Sequence, residues 1–538
     1  MSEQIEAAEP LPEAVPEEAE QAALRDRYIL DTPYIWQFQS SQSPAALRNI
    51  ALLRGYPTKA LDEPFTYCEL GCGNGLTTNL LAAALPQGRF TAVDLNAEHI
   101  ANGRRLAEAG GLDNVEFVEA DFGALLERDE LPAFDYITLH GVYSWVGAEV
   151  REQLRRFIAK TLAPNGLVYV SYNAMPGWAP LLPLRETMVR YAETSEASSL
   201  GKAVKGLQYL KFLRDRDAAF FKASPASRPF LDELLEADPK YIAHEYFNEA
   251  WEPMYFSDVA RSFDAEGLRY LGSTIIERNY TDLVVPEPFW SLLDSADNEL
   301  VKETHKSLIL NEMFRRDVYG RKPPEAPPEG DSDPLAEVIF GSVRPAAEVK
   351  RQVRVGPHEI RLNDPIYDPL IAAAAPGRLT VKELEAHPDL KDSKPEAVRT
   401  ALQRLVATGQ FRPFAKPAVE AAAAVPERFR LASAYNRAIL EERLFLDRRI
   451  HLASPVLGNG TIVDVMQGTL LHCGDAVGPD RMIEEAVERL AAQPRAWRVG
   501  DEEIEGAERL RPLVEAQAKA LRETWMPLLH RLGIVEAA

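Results

Sequence analysis

Cysteine is nearly missing from this chain, with three residues in 538. That scarcity excludes a disulfide framework and fits a reducing compartment. Cys68 and Cys72 sit at a glycine-rich turn, where small residues serve as core filler. The nine histidines are scattered, none at ligand spacing with a cysteine or another histidine, so no metal is implied. Long apolar runs are missing too, which leaves no candidate for a membrane-spanning helix. The N-terminus lacks the basic, then apolar, pattern of a targeting signal. Its first twenty residues hold seven Glu, no Lys or Arg, and Pro10, Pro12 and Pro16. Residues 1–22 therefore read as a solvated, disordered acidic tail. Basic charge is in deficit, with 60 Lys and Arg against 82 Asp and Glu, a net charge of −22. Phosphate backbones need clustered Lys and Arg, so a nucleic-acid partner is not expected. A soluble cytoplasmic protein is.

What is present points to several domains. The chain is too long for one hydrophobic core, and its 46% apolar and 26% charged residues are ordinary for globular proteins. Short apolar runs alternate with helical stretches from Tyr67 to Tyr172. Strands are expected at Thr66–Leu70, Arg89–Asp94, Val115–Glu119, Phe134–His140 and Leu167–Tyr172, with helices near Leu76–Ala84, Ala97–Ala109 and Val150–Leu162. This is the rhythm of a parallel α/β sheet covered on both faces. Residues 25–60 precede it as a helical lead-in containing Tyr28, Tyr34, Trp36 and Phe38. The core is placed at 23–180, followed by a helical insertion at 181–237. Residues 238–321 complete the sheet, with Tyr241–Phe247 and Leu268–Ser273 read as strands around a helix at Ser257–Ala265. The Pro, Glu and Gly run inside 322–345 reads as a linker. Residues 346–538 form a mainly helical second unit, and Leu379–Phe414 has the outline of a winged-helix-like module. On this division, residues beyond about 345 choose the substrate, and a chain ending there keeps its cofactor site.

The sharpest local signal is Glu69-Leu70-Gly71-Cys72-Gly73-Asn74-Gly75, between a strand and a helix. Glycines let the chain turn tightly and leave bare backbone against a ligand. A dinucleotide fingerprint needs G-x-G-x-x-G, but here the spacing is G-x-G-x-G with an acid two residues earlier. The second strand ends at Asp94, followed by Leu95, where an acid can accept both ribose hydroxyls. The third leads into Asp121 and Phe122.

The glycine loop resembles the first motif of Rossmann-like, seven-stranded S-adenosylmethionine methyltransferases. His140-Gly-Val-Tyr143-Ser-Trp145 and Tyr172-Asn173-Ala-Met-Pro176-Gly177-Trp178 resemble bacterial methyltransferases that carry a methyltransferase regulatory domain. So do His244-Glu-Tyr-Phe, Tyr255-Phe-Ser-Asp-Val, Phe314-Arg-Arg-Asp317 and Ser454-Pro-Val-Leu-Gly458-Asn-Gly460. That family includes protein lysine methyltransferases acting on bacterial outer-membrane proteins. The resemblance implies that Glu69, Gly71, Gly73 and Gly75 form the cofactor loop, with Asp94 and Leu95 at the ribose. It places Asp121 and Phe122 at the adenine and His140 on the floor of the site. Tyr143, Trp145, Tyr172 and Asn173 are candidates for the acceptor pocket; local packing is the competing reading for Tyr143 and Trp145.

Methyl transfer from a sulfonium needs orientation and exclusion of water, and orientation alone can supply roughly 7–11 kcal/mol. Base-methylating enzymes usually carry Asn/Asp-Pro-Pro-aromatic where this chain has HGVYSW, so base methylation loses its support; the family resemblance implies a lysine on a protein as the acceptor. No general base is evident. A small-molecule methyltransferase and a non-catalytic cofactor-binding protein are the alternatives. A homodimer formed through the helical insertion is a further expectation.

Overall fold

The computed structural model of the protein describes residues 36–538 except 194, 196, 323–332, 346–347, 356–357, 421–427, 448, 495–496 and 500–501. The acidic tail, Tyr28, Tyr34 and most of the Pro/Glu/Gly run lie outside the described residues. The described chain divides into two compact units, one holding residues 179–252 and the other residues 36–178 with 253–538. No helix among the described residues is long and apolar enough to cross a membrane.

The larger unit is built on a sheet whose strands are β1 (Phe65–Leu70), β2 (Gly88–Asp94), β3 (Val115–Glu119), β4 (Phe134–Leu139), β5 (Leu162–Met175), β6 (Leu268–Ser273) and β7 (Phe314–Arg321), in the spatial order β3-β2-β1-β4-β5-β7-β6. The first five run parallel, and β7 runs antiparallel to both neighbours. Parallel strands buried on both faces are apolar almost throughout, which is why β1, β4 and β5 stand out in the sequence. Around them lie α1 (Pro44–Leu53), α2 (Leu76–Ala84), α3 (Ala97–Ala109), α4 (Phe122–Leu126), α5 (Ala148–Thr161), α6 (Phe256–Ala265) and α7 (Glu299–Ile309).

The last strand pair differs from expectation. Tyr241–Phe247 is not a strand; Pro239–Tyr246 is a helix of the smaller unit. Asp238 caps it by accepting from the Lys240 amide, and Pro239 occupies its first turn, a strong helix start. The second strand closing the sheet is instead β7, whose Arg315, Arg316, Asp317 and Arg321 disguise it as a polar loop. Arg315 is buried among Glu303, Glu312 and Asp317, so its charge is matched inside the fold.

The described end of the expected linker and the separate C-terminal unit differ from expectation as well. Ile339–Ser342 is a buried strand paired with Phe411–Phe414. It precedes the helices Val381–Glu385 and Pro395–Ala407, and no hairpin wing follows them among the described residues. Residues 36–178 share one hydrophobic core with the C-terminal region, in which Phe38, Leu80, Leu81 and Leu85 join Ile450, Leu452, Leu457, Leu470 and Leu532. Every residue of α2 from Thr77 to Ala82 is buried, and the hairpin Arg449–Ser454/Asn459–Asp464 packs on it. A Cβ on Gly460 would lie 2.7 Å from Phe38 Cε1, and one on Gly458 3.0 Å from Leu85 Cδ2. A helix buried on all sides, with Leu80 and Leu81 facing away from solvent, needs such a cover.

The smaller unit, within residues 179–252, consists of the helices Leu182–Glu193, Ser199–Asp215, Ala219–Ala223, Ser227–Glu236 and Pro239–Tyr246. The insertion thus runs on past residue 237.

Candidate active site

The turn after β1 is shaped by its glycines. Gly71, Gly73 and Gly75 have φ of 76°, 53° and 73°, a region that costs side-chain-bearing residues dearly. Space is also denied. A Cβ on Gly71 would fall 2.4 Å from Val142 Cγ2, and one on Gly75 would fall 2.5 Å from Phe117 Cε1. The amides of Gly71 and Cys72 donate to the Val93 carbonyl at 2.8 and 3.0 Å, tying the loop to β2.

At the end of β2, Asp94 accepts from the Gly73 amide through Oδ2 at 2.8 Å and from the Asn96 amide through Oδ1 at 2.9 Å. His99 Nδ1 lies 3.2 Å from the same Oδ1. The Asp94 side chain keeps 14% of its exposure, and Oδ2, with one partner, has a lone pair to spare. Leu95 follows, half-buried. At the end of β3, Asp121 caps α4 by accepting from the Ala124 amide at 2.8 Å, and half-buried Phe122 begins that helix. Both acids therefore stand at the carboxyl ends of strands beside a bare-backbone turn.

Glu69 is placed differently. It is 3% exposed; its Oε1 accepts from Gln42 Nε2 at 3.0 Å and its Oε2 from the Thr78 hydroxyl. Burial raises its pKa to about 7, partly opposed by those hydrogen bonds and aided by the Asp94 charge. It anchors the loop to α2 and to the turn Ser40–Gln42 preceding α1. Cys68 and Cys72 are buried free thiols that burial pushes well above their usual pKa. They fill space.

The other side of the site lies at the ends of β4 and β5. His140 Nδ1 is 2.8 Å from the Tyr169 hydroxyl, and the two rings stack at 5.9 Å. Burial, with the charge of Arg316 adding to it, lowers the His140 pKa to about 3, so the ring is neutral near pH 7. The alternation of β5 decides the remaining candidates. Asn173 shares a face with Tyr169 and Ser171, and Ser171 Oγ accepts from the Gly141 amide at 2.9 Å. Tyr172 points to the opposite face, where its hydroxyl donates to Asp317 Oδ2 at 2.7 Å within the buried Arg315 cluster. Tyr143 is 1% exposed; its hydroxyl accepts from Arg155 at 2.9 Å and its ring meets Phe263 at 5.7 Å. These surroundings are those of packing between α5 and α6. Trp145 is half-buried and lies against Gly141. The structure thus gathers His140, Trp145 and Asn173 at one end of the sheet and sets Tyr143 and Tyr172 apart.

Tyr169, Ser171, Phe314, Arg316 and Ser41, to which the sequence assigns no site role, surround His140 or face the same side. Phe314 meets the His140 ring edge-on at 5.8 Å, and Arg316 Nη1 donates to Ser41 Oγ at 3.3 Å. Period-two counting along β5 would have found Tyr169 and Ser171.

Residues 68–168 match the model of a methyltransferase domain, and residues 238–321 match that of the predicted methyltransferase regulatory domain. The chain is 31% identical over 510 residues to an uncharacterized protein of Synechocystis sp., covering 94% of this chain and 99% of that one. It belongs to the S-adenosylmethionine-dependent methyltransferases with a methyltransferase regulatory domain. A second uncharacterized protein, from Rickettsia prowazekii, is 27% identical over 289 residues, covering 53% of this methyltransferase and 51% of that protein. Among solved structures, PKMT2 from Rickettsia typhi in complex with AdoHcy (S-adenosylhomocysteine) superposes with a TM-score of 0.71 at 20% identity. That match covers 93% of this methyltransferase and all of PKMT2, so the two share a fold. The cofactor is S-adenosylmethionine, and the loop suits it, since its closely approached glycines leave backbone bare at the end of β1, to one side of two partly open strand-end acids.

Proposed function

We propose that this methyltransferase is a protein lysine N-methyltransferase. The supporting observation is the extent of its likeness to PKMT2, a protein lysine methyltransferase, which runs through the insertion and the C-terminal region as well as the catalytic sheet. A small acceptor would call for none of that additional surface, whereas a protein acceptor needs a broad one. The acceptor protein would be met in the cytoplasm by two copies joined through the helical insertion. There Tyr191 and Phe212, about half exposed, extend a stack through Tyr209.

When bound, S-adenosylmethionine supplies a methyl group on a sulfonium, an electrophile for a neutral amine. Gly71, Gly73 and Gly75 admit it to the backbone, Asp94 and Leu95 hold the ribose, and Asp121 and Phe122 hold the adenine. Glu69 fixes the loop. Trp145 and Asn173 border the acceptor, with His140 beneath it. Supplying the neutral form of a lysine of pKa ~10.4 at pH 7 costs roughly 4–5 kcal/mol. Neutral His140 adds no charge to the floor, and the aromatic walls lower the amine pKa by desolvation. The pocket's own residues thus favour the neutral amine without a dedicated base.

The test is mass spectrometry of cell extract incubated with the enzyme and isotope-labelled cofactor. Label on lysine side chains of protein is expected. Label found solely on metabolites, or on protein carboxyl groups, would overturn the lysine assignment.

A further inference from the structure

Arg315 and Arg316 are neighbours on β7 that face opposite sides of the sheet, and their surroundings differ. Arg315 meets three buried carboxylates. Arg316 has no ion-pair partner among the described residues; its Nη1 reaches only the Ser41 hydroxyl, at 3.3 Å, and its Nε is buried without a hydrogen-bond partner. Its guanidinium lies 5.6 Å from the centre of the Phe314 ring, and its charge acts on His140 and Tyr169. All of these neighbours are neutral. A half-buried guanidinium that has given up water and met no anion is costly to keep, and its place at the carboxyl ends of the parallel strands is where such sheets bind ligands.

The layout of the sheet says which anion would arrive. With adenosine on Asp94 and Asp121, over β2 and β3, the rest of the cofactor runs past β1 toward β4. Strands are spaced about 4.8 Å apart, so His140 at the end of β4 stands about 10 Å from β2, a distance the methionine arm can cover. Arg316 reaches back over β5 to that point. The turn before α1 joins the two ends, since Ser41 meets Arg316 and its neighbour Gln42 meets Glu69. We propose that Arg316 holds the α-carboxylate of the methionine end of S-adenosylmethionine, with Ser41 beside it. This assignment rests on the placement of the adenosine given above.

The test compares wild type, Arg316→Gln and Arg316→Lys by calorimetry with two ligands. AdoHcy carries the carboxylate; 5′-methylthioadenosine has the same adenosine and thioether without it. Losing a charge-assisted pair should weaken AdoHcy binding by Arg316→Gln roughly 10- to 100-fold, with methylthioadenosine changed by less than about twofold and Arg316→Lys intermediate for AdoHcy. Melting curves check the fold, and Arg316→Lys carries the comparison should the Gln variant not fold. Unchanged AdoHcy affinity, or equal weakening of both ligands, would overturn the proposal. Failure of the wild type to bind AdoHcy would refute the adenosine placement instead.

Discussion

Glu69 allows a calculation that joins the cofactor loop to stability. The side chain is buried, and its pKa moves from an ordinary value near 4.5 to about 7. Between these pH values an unfolded chain has lost this proton while the folded one retains it. The folded state binds more protons, so stability falls as pH rises through the window and levels off above about 7. At about 1.4 kcal/mol per pH unit the full effect is about 3 kcal/mol. In Glu69→Gln the amide oxygen can still accept from Gln42 Nε2, and the Thr78 hydroxyl can turn to accept from the new NH2 group. The variant should therefore match wild type near pH 4.5 and exceed it by about 3 kcal/mol at pH 8. Urea unfolding of both proteins across that range reads the difference directly. Parallel pH profiles would refute the reasoning, showing that Glu69 ionises near its ordinary pKa within the fold.

The site and the fold make five further tests. Asp94→Ala should weaken AdoHcy binding by roughly 1.5–3 kcal/mol, the loss of charge-assisted hydrogen bonds, and calorimetry showing unchanged affinity would remove Asp94 from the site. Trp145→Ala should cut turnover while leaving AdoHcy affinity near wild type; Tyr143→Ala should lose the roughly 3–5 kcal/mol of stability typical of emptied aromatic core sites, read as a lower melting temperature. Arg315→Met leaves Glu303, Glu312 and Asp317 without their shared cation, so denaturant titration should show a loss of about 3–5 kcal/mol at pH 7. A chain ending near residue 345 should be insoluble or fail to bind AdoHcy, because α2 loses the hairpin that covers Leu80 and Leu85; a soluble, cofactor-binding fragment would show that α2 needs no such cover.

The sequence was most informative where one residue type does one job. β1, β4 and β5 are apolar because they are covered on both faces, and glycine is unavoidable at Gly71 and Gly75 because neighbouring atoms occupy the space of a Cβ. Asp94 and Asp121 were visible because acids end successive strands. Legibility failed where burial and polarity part company. β7 is hidden by arginines and an aspartate that pair inside the fold, and the helix at Pro239–Tyr246 resembles a strand because the apolar residues after its cap, Asp238-Pro239, mask the helix start. Aromatic side chains at strand ends posed the opposite problem. Tyr143 and Tyr172 look like pocket residues until the face of each is known, and the face depends on partners, Arg155 and Asp317, that lie outside the segments holding the two tyrosines. The division at residue 345 failed for a similar reason. The Pro/Glu/Gly run marks a change in composition, whereas α2, with every residue from Thr77 to Ala82 buried, already required a cover that β1 to β5 alone could not provide. A helix buried on all sides beside a ligand loop is thus a statement about distant chain: the C-terminal hairpin packs on the helix that follows the glycine turn, so residues beyond 345 share the core of the half that carries that turn.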